Sequence, residues 1–171
     1  MAAAACGRCA TCLRGLPRHC PTRRVMGILH ADGALAEQVS SAIASYTATG
    51  IYPSTAFGAS LQDVARMVHG NLGSQIFYVE TGGFDTHGSQ NNTLGVRLPA
   101  ISQALGAFID DMKAMNEYAN TTLVVFSEFG RRNYENGSLG TDHGHAHHSM
   151  VIGGSVTGGT SSVDFNATSN A

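Results

Sequence analysis

From about residue 33 the chain sorts into segments by the spacing of its apolar positions. Leu35, Val39 and Ile43 recur at helical spacing as far as about Tyr46, and Thr49-Gly50 with Pro53 breaks the pattern. A second helix is predicted from about Phe57 to Leu72, with Leu61, Val64, Ala65 and Val68 as its apolar stripe and Gly70 and Gly73 near its stop. His69, beside that stripe, reads as a capping or packing histidine rather than a ligand. Gln75-Ile-Phe-Tyr-Val-Glu80 is a short apolar run of the kind that forms a buried strand, closed by the Gly82-Gly83 loop. The longest helical pattern follows, with Leu98, Ile101, Leu105, Phe108, Ile109, Met112 and Met115 on one face and Gln103, Asp110, Asp111, Lys113 and Glu117 free to face water. Thr121-Thr-Leu-Val-Val-Phe-Ser127 has the β-branched and aromatic character of a second strand, and Ser149-Met-Val-Ile-Gly153 that of a third.

Strand, crossover helix and strand make a βαβ unit, so the pattern predicts an α/β fold with a mostly parallel sheet and helices on its faces. Such sheets bind ligands beyond the carboxyl ends of their strands. The polar motifs follow strands in this way: Gly82-Gly-Phe-Asp-Thr-His87 after the first, Ser127-Glu-Phe-Gly-Arg-Arg132 after the second, and Gly140-Thr-Asp-His-Gly-His-Ala-His-His148 before the third. Three separate loops are therefore expected on one rim.

Composition narrows the function classes. The chain has 171 residues, 43% hydrophobic content and a net charge of −2, enough for one domain with a real core. Only 13% of residues are charged, no extended basic face exists for nucleic acid, and no apolar run approaches the roughly 20 residues that span a bilayer. Residues 1–32 differ from the rest, holding all four cysteines and five arginines before the first acidic residue, Asp32. Cys6, Cys9 and Cys12, with Cys20 seven residues on, depart from cluster-binding spacing, so this end reads as a disordered or non-native leader in preference to an iron-sulfur or zinc module. Arg23-Arg24 lacks the sustained apolar stretch of a working export signal. Residues 33–159 form the predicted domain and 160–171 a Ser-, Thr- and Asn-rich flexible tail.

Asp85 and His87 are two apart, so an extended loop turns both to the same side, where an oxygen and a nitrogen can meet one cation. Asp142 and His143 are adjacent, and His143, His145 and His147 alternate beyond Gly140. Mixed carboxylate and imidazole sets suit zinc first, with manganese or iron(II) as alternatives, whereas calcium and magnesium prefer oxygen shells. The histidines exceed what one site needs, so at least one of His145, His147 and His148 is expected behind the ligands or on the surface. Glu128 reads either as half of a local ion pair with the following arginines or as a ligand or acid-base group. Arg131 or Arg132 in turn suits an oxyanion clamp. No nucleophile announces itself, since Ser127 lacks a G-x-S-x-G setting.

The runs YPSTAFGASLQDVARMVHGNLGSQIFYVETGGFDTHGSQ and LVVFSEFGRRNYENGSLGTDHGHAHHSMVIGG resemble an uncharacterised bacterial family, domain-of-unknown-function family 1501 of the alkaline-phosphatase-like superfamily. Its members carry G-F/W-D-T-H, S-E-F-G-R and N-G-x-x-G-T-D-H-G motifs in this order, here over roughly residues 52 to 159. The resemblance implies a metal-dependent hydrolase fold related to phosphatases and sulfatases, with divalent cations at the sheet edge and phosphate or sulfate esters as substrates. It implies Asp85, His87, Asp142 and His143 as metal ligands, with His145 or His147 as a further one, while Glu128 and Arg131 stay the candidate catalytic groups on their own chemistry. It also suggests an exported or periplasmic protein.

Full-length relatives are more than twice as long and place a further ligand and the nucleophile in a preceding half, so the resemblance implies a carboxyl-side fragment that is inactive alone. The alternative is a noncatalytic metal-binding protein or a fragment that needs a partner chain. Replacing His87 or Asp142 by alanine is expected to lower metal stoichiometry in either case.

Overall fold

The computed structural model describes residues 40–159 apart from residue 42. Leu35 and Val39 of the first predicted helix lie outside these residues, and the helical backbone that is described ends at residue 44. The cysteine-rich leader and the tail lie outside them as well.

Helix α1, Ala56–His69, starts where Thr55 accepts a hydrogen bond from the Gly58 amide at 3.0 Å, satisfying a donor that the first turn cannot use. It buries Leu61, Val64 and Ala65 and stops at Gly70. Helix α2, Gln90–Ala114, runs eight residues further towards the amino terminus than the apolar stripe indicates. That added stretch carries no buried side chain, and Leu98, expected on the buried face, is 52% exposed. The burying half places Ala104, Leu105, Phe108 and Met112 against α1, and these residues make up the core.

Asp111 is a second correction, because the residue expected to face water is 1% exposed. The chain between Tyr46 and Tyr52 folds over it. Both tyrosine hydroxyls donate to Oδ2, and the Thr49 and Gly50 amides donate to Oδ1 at 2.6 and 3.0 Å. A Cβ at Gly50 would lie 2.3 Å from the Ala107 carbonyl oxygen, so only glycine lets the backbone come this close to α2. Periodicity marks which side of a helix is available, but it cannot register a loop that arrives with four donors.

A single 3-10 turn, η1 (Tyr118–Asn120), leads into β1 (Thr122–Val125), followed by β2 (Gly130–Arg131), β3 (His143–Gly144) and β4 (Met150–Gly153). β1 pairs antiparallel with β4, Val124 opposite Val151, and β2 pairs antiparallel with β3, Arg131 opposite His143. Both ladders among the described residues are thus antiparallel.

Gln75–Glu80, expected as a buried strand, is extended without a ladder. Phe77 and Val79 pack on the helical core while Ile76 and Tyr78 stay exposed on the other side. An unbroken apolar run would be buried on both faces, and here only one face is covered. Among the described residues no helix is long and apolar enough to cross a membrane.

Candidate metal centre

Two loops build the site. In the first, the Thr86 amide donates to the Phe84 carbonyl at 2.9 Å, a tight turn about Asp85 that leaves Thr86 buried and Asp85 and His87 exposed and close together. The second runs from Asn136 to His143 and docks on the first through its backbone. Thr141 donates to the Thr86 carbonyl at 3.2 Å, and the amides of Ser89 and Gln90 donate to the carbonyls of Ser138 and Leu139 at 3.0 and 2.8 Å. These last two bonds satisfy donors at the start of α2, which has no side-chain cap. Gly140 is buried in the contact, and a Cβ there would lie 2.3 Å from the His87 carbonyl carbon.

Docking brings Asp85, His87 and His143 together, with one ligand atom from each lying within 4.8 Å of the others. Asp85 Oδ1 is the hub: it lies 2.7 Å from His143 Nε2, 3.1 Å from His87 Nε2 and 3.0 Å from Arg131 Nη2. The His143 hydrogen bond holds the Asp85 carboxyl below the ordinary carboxylate range; slight desolvation opposes it, and the charges of His87, His143 and Arg131 reinforce it. The His143 ring stacks on Phe129 at 4.5 Å, and its own position is set by the β2–β3 pairing.

The other candidates fall in different places. Asp142 is not among the three converging groups. Its Oδ1 lies 3.1 Å from His87 Nδ1, on the far side of that ring, and the hydrogen bonds from His87 and then Asn136 keep its carboxyl below the ordinary range. His145 is exposed and outside the cluster. Glu128 is exposed and forms no ion pair with Arg131 or Arg132.

Arg131, expected as an oxyanion clamp, straps the two loops together. Its guanidinium donates to the Thr141 carbonyl, to the Phe84 carbonyl at 2.6 Å and to Asp85, over the Phe129 ring at 4.9 Å. Arg132 is the more exposed arginine, with Nη1 donating to the Tyr134 hydroxyl at 2.6 Å, and its charge also acts on Asp142.

Two contributors escape a reading of ligand types, Phe129 and Asn136. Phe129 carries no ligand atom. The Asn136-Gly137 pair signals only a turn, yet the Asn136 side chain bridges both loops.

The donor set, one carboxylate oxygen and two ring nitrogens converging on the exposed side of the loops, fits a borderline cation such as zinc. No curated protein and no solved structure matches this chain. Residues 25–171 match the family described as "Protein of unknown function (DUF1501)", and the chain belongs to that family.

Proposed function

We propose that the chain carries a divalent-metal site of the phosphatase and sulfatase type, directed at phosphate or sulfate esters. The observation that carries this reading is the convergence of Asp85, His87 and His143 from loops more than 50 residues apart in sequence. These three residues would hold the metal, zinc before manganese or iron. When bound, the metal would act as a Lewis acid on an ester oxygen and lower the pKa of a water.

The chain's own residues do the rest. Arg131 keeps the Asp85 loop closed on the Thr141 loop, and Phe129 keeps the His143 ring from turning. Arg132, exposed and near Asp142, supplies positive charge for an ester oxyanion.

The α/β architecture of alkaline phosphatases belongs to the same proposal. It is supported by Phe77 and Val79 packing on the same helical core as Leu123 and Val125. A noncatalytic metal-binding role is the second reading. Ser127 favours it, since its hydroxyl accepts from the Phe129 amide at 3.4 Å and is tied to no imidazole.

Mass spectrometry of the purified chain after removal of loose ions decides between these readings. Near-stoichiometric zinc, manganese or iron, lost in Asp85→Ala and His87→Ala, is the expected result, and no retained metal overturns the site. Metal-dependent turnover of p-nitrophenyl phosphate or sulfate supports the hydrolase, and retained metal without turnover supports the second reading.

A further inference from the structure

Asn136 makes four hydrogen bonds with its side chain. Nδ2 donates to the His87 carbonyl at 3.0 Å and to Asp142 Oδ1 at 3.1 Å, while Oδ1 accepts from the Ser138 and Gly140 amides at 2.9 and 3.1 Å. Its amide orientation is unambiguous, because exchanging the two ends would set NH2 against two N–H groups and oxygen against two acceptors. One side chain therefore shapes the Asn136 to Asp142 loop, fastens it to the main chain of His87 and aims Asp142.

Asp142 Oδ1 receives Asn136 from one side and faces His87 Nδ1 from the other. Both His87 nitrogens lie 3.1 Å from a carboxylate oxygen, but only Nδ1 meets its carboxylate, Asp142, in hydrogen-bond geometry, and because a carboxylate offers only acceptors the proton belongs on Nδ1. The opposite nitrogen, Nε2, is the one turned towards Asp85 and His143. The main chain of Asp142 is anchored too, its carbonyl accepting from the Arg132 amide at 2.9 Å.

We infer that Asn136 and Asp142 are positioning residues that fix the His87 ring so that Nε2 is the atom offered to a divalent cation, with Asp142 standing behind His87 instead of on the metal. The inference rests on the metal-site reading above. It separates two residues, Asp142 and His143, that sit side by side in the sequence: His143 touches the cation, and Asp142 acts through another side chain. Carboxylates placed behind ligating histidines typically contribute 10- to 100-fold in metal affinity.

Cobalt(II) titration of the full chain, followed by its visible absorption, tests this, with circular dichroism to establish that each variant is folded. Asn136→Ala and Asp142→Ala are expected to bind cobalt about 10- to 100-fold more weakly, while the band shape at saturation stays that of the wild type because the ligand set is unchanged. Asp142→Asn keeps an oxygen acceptor for both His87 Nδ1 and Asn136 Nδ2, and it is expected to recover most of the loss. A neutral amide would not do so if the carboxylate were itself a ligand. Nitrogen-15 NMR of the zinc-loaded protein should find the His87 proton on Nδ1.

A changed band shape in Asp142→Ala, no recovery in folded Asp142→Asn, or unaltered affinity in folded Asn136→Ala overturns the assignment while leaving the metal site standing. A wild-type chain that takes up no cobalt overturns both.

Discussion

Asp111 and Asp85 are each ringed by hydrogen-bond donors, and both carboxyls are held below the ordinary carboxylate range. Their surroundings differ in kind. Asp111 is sealed under Tyr46 and Tyr52, and its partners are neutral hydroxyls and amides from the chain that crosses α2. Burial alone would raise its pKa, and four hydrogen bonds outweigh that effect. The Asp85 side chain is 60% exposed, and two of its partners are imidazole nitrogens that can give up a proton and take a cation. A carboxylate saturated by fixed neutral donors in the core joins elements together, whereas one shared by imidazoles in water is free to exchange a proton for a metal.

The largest expected effect lies on the buried side of this comparison. Asp111→Ala would leave two hydroxyls and two amides without their acceptor, and a loss of about 3–4 kcal/mol in urea denaturation is expected. A loss below about 1 kcal/mol would mean that the 46–52 segment is not held by Asp111.

Asp85→Ala should invert the pattern, leaving the urea midpoint nearly unchanged while cobalt affinity falls by at least roughly 100-fold. Comparable damage to stability and to metal uptake in this variant would erase the distinction between the two carboxylates.

Titration sharpens it further. Because the folded pKa of Asp111 is lowered, its contribution is present above the unfolded value of about 3.9 and disappears as pH falls through the folded value. Asp111→Asn should therefore flatten the acid limb of the stability curve.

Tyr46 moves in the opposite sense. Desolvation, and then its hydrogen bond to Asp111, push it up to about 12, so its contribution is complete below the unfolded value near 10 and is lost as pH rises from there towards 12. Tyr46→Phe should remove that alkaline loss, and an unchanged alkaline limb would count against the bond.

The smallest effect is expected at Glu128. Glu128→Gln should leave cobalt affinity within about twofold, below the range for residues that support a metal ligand. A larger drop would draw this exposed residue back into the site.

Much of the site was legible along the chain, and the reason is local. Asp85 and His87 stand two apart, and so short a separation keeps them within reach of one another, here across a tight turn closed by the Thr86 amide on the Phe84 carbonyl. Helix α1 was equally readable, since Leu61, Val64 and Ala65 keep one period ahead of a terminal glycine. The one-sided burial of Gln75–Glu80 was not, because an apolar run looks the same whether one face or both are covered. Asp142 illustrates a harder limit. It and His143 are adjacent and chemically suited to the same cation, and spacing alone gives them equal standing.

By itself the sequence determined which ligand types exist, which short segments run extended or helical, and the family to which the chain belongs. Each of these depends on neighbours a few residues apart, where covalent geometry limits the choices. The tertiary structure decided that Asp111 is a core residue, that Arg131 hydrogen-bonds across two loops, and that Asp142 meets the Nδ1 side of His87. Those roles depend on which group approaches from a distant part of the chain, and a side chain's chemistry does not specify its partner until the backbone has closed around it.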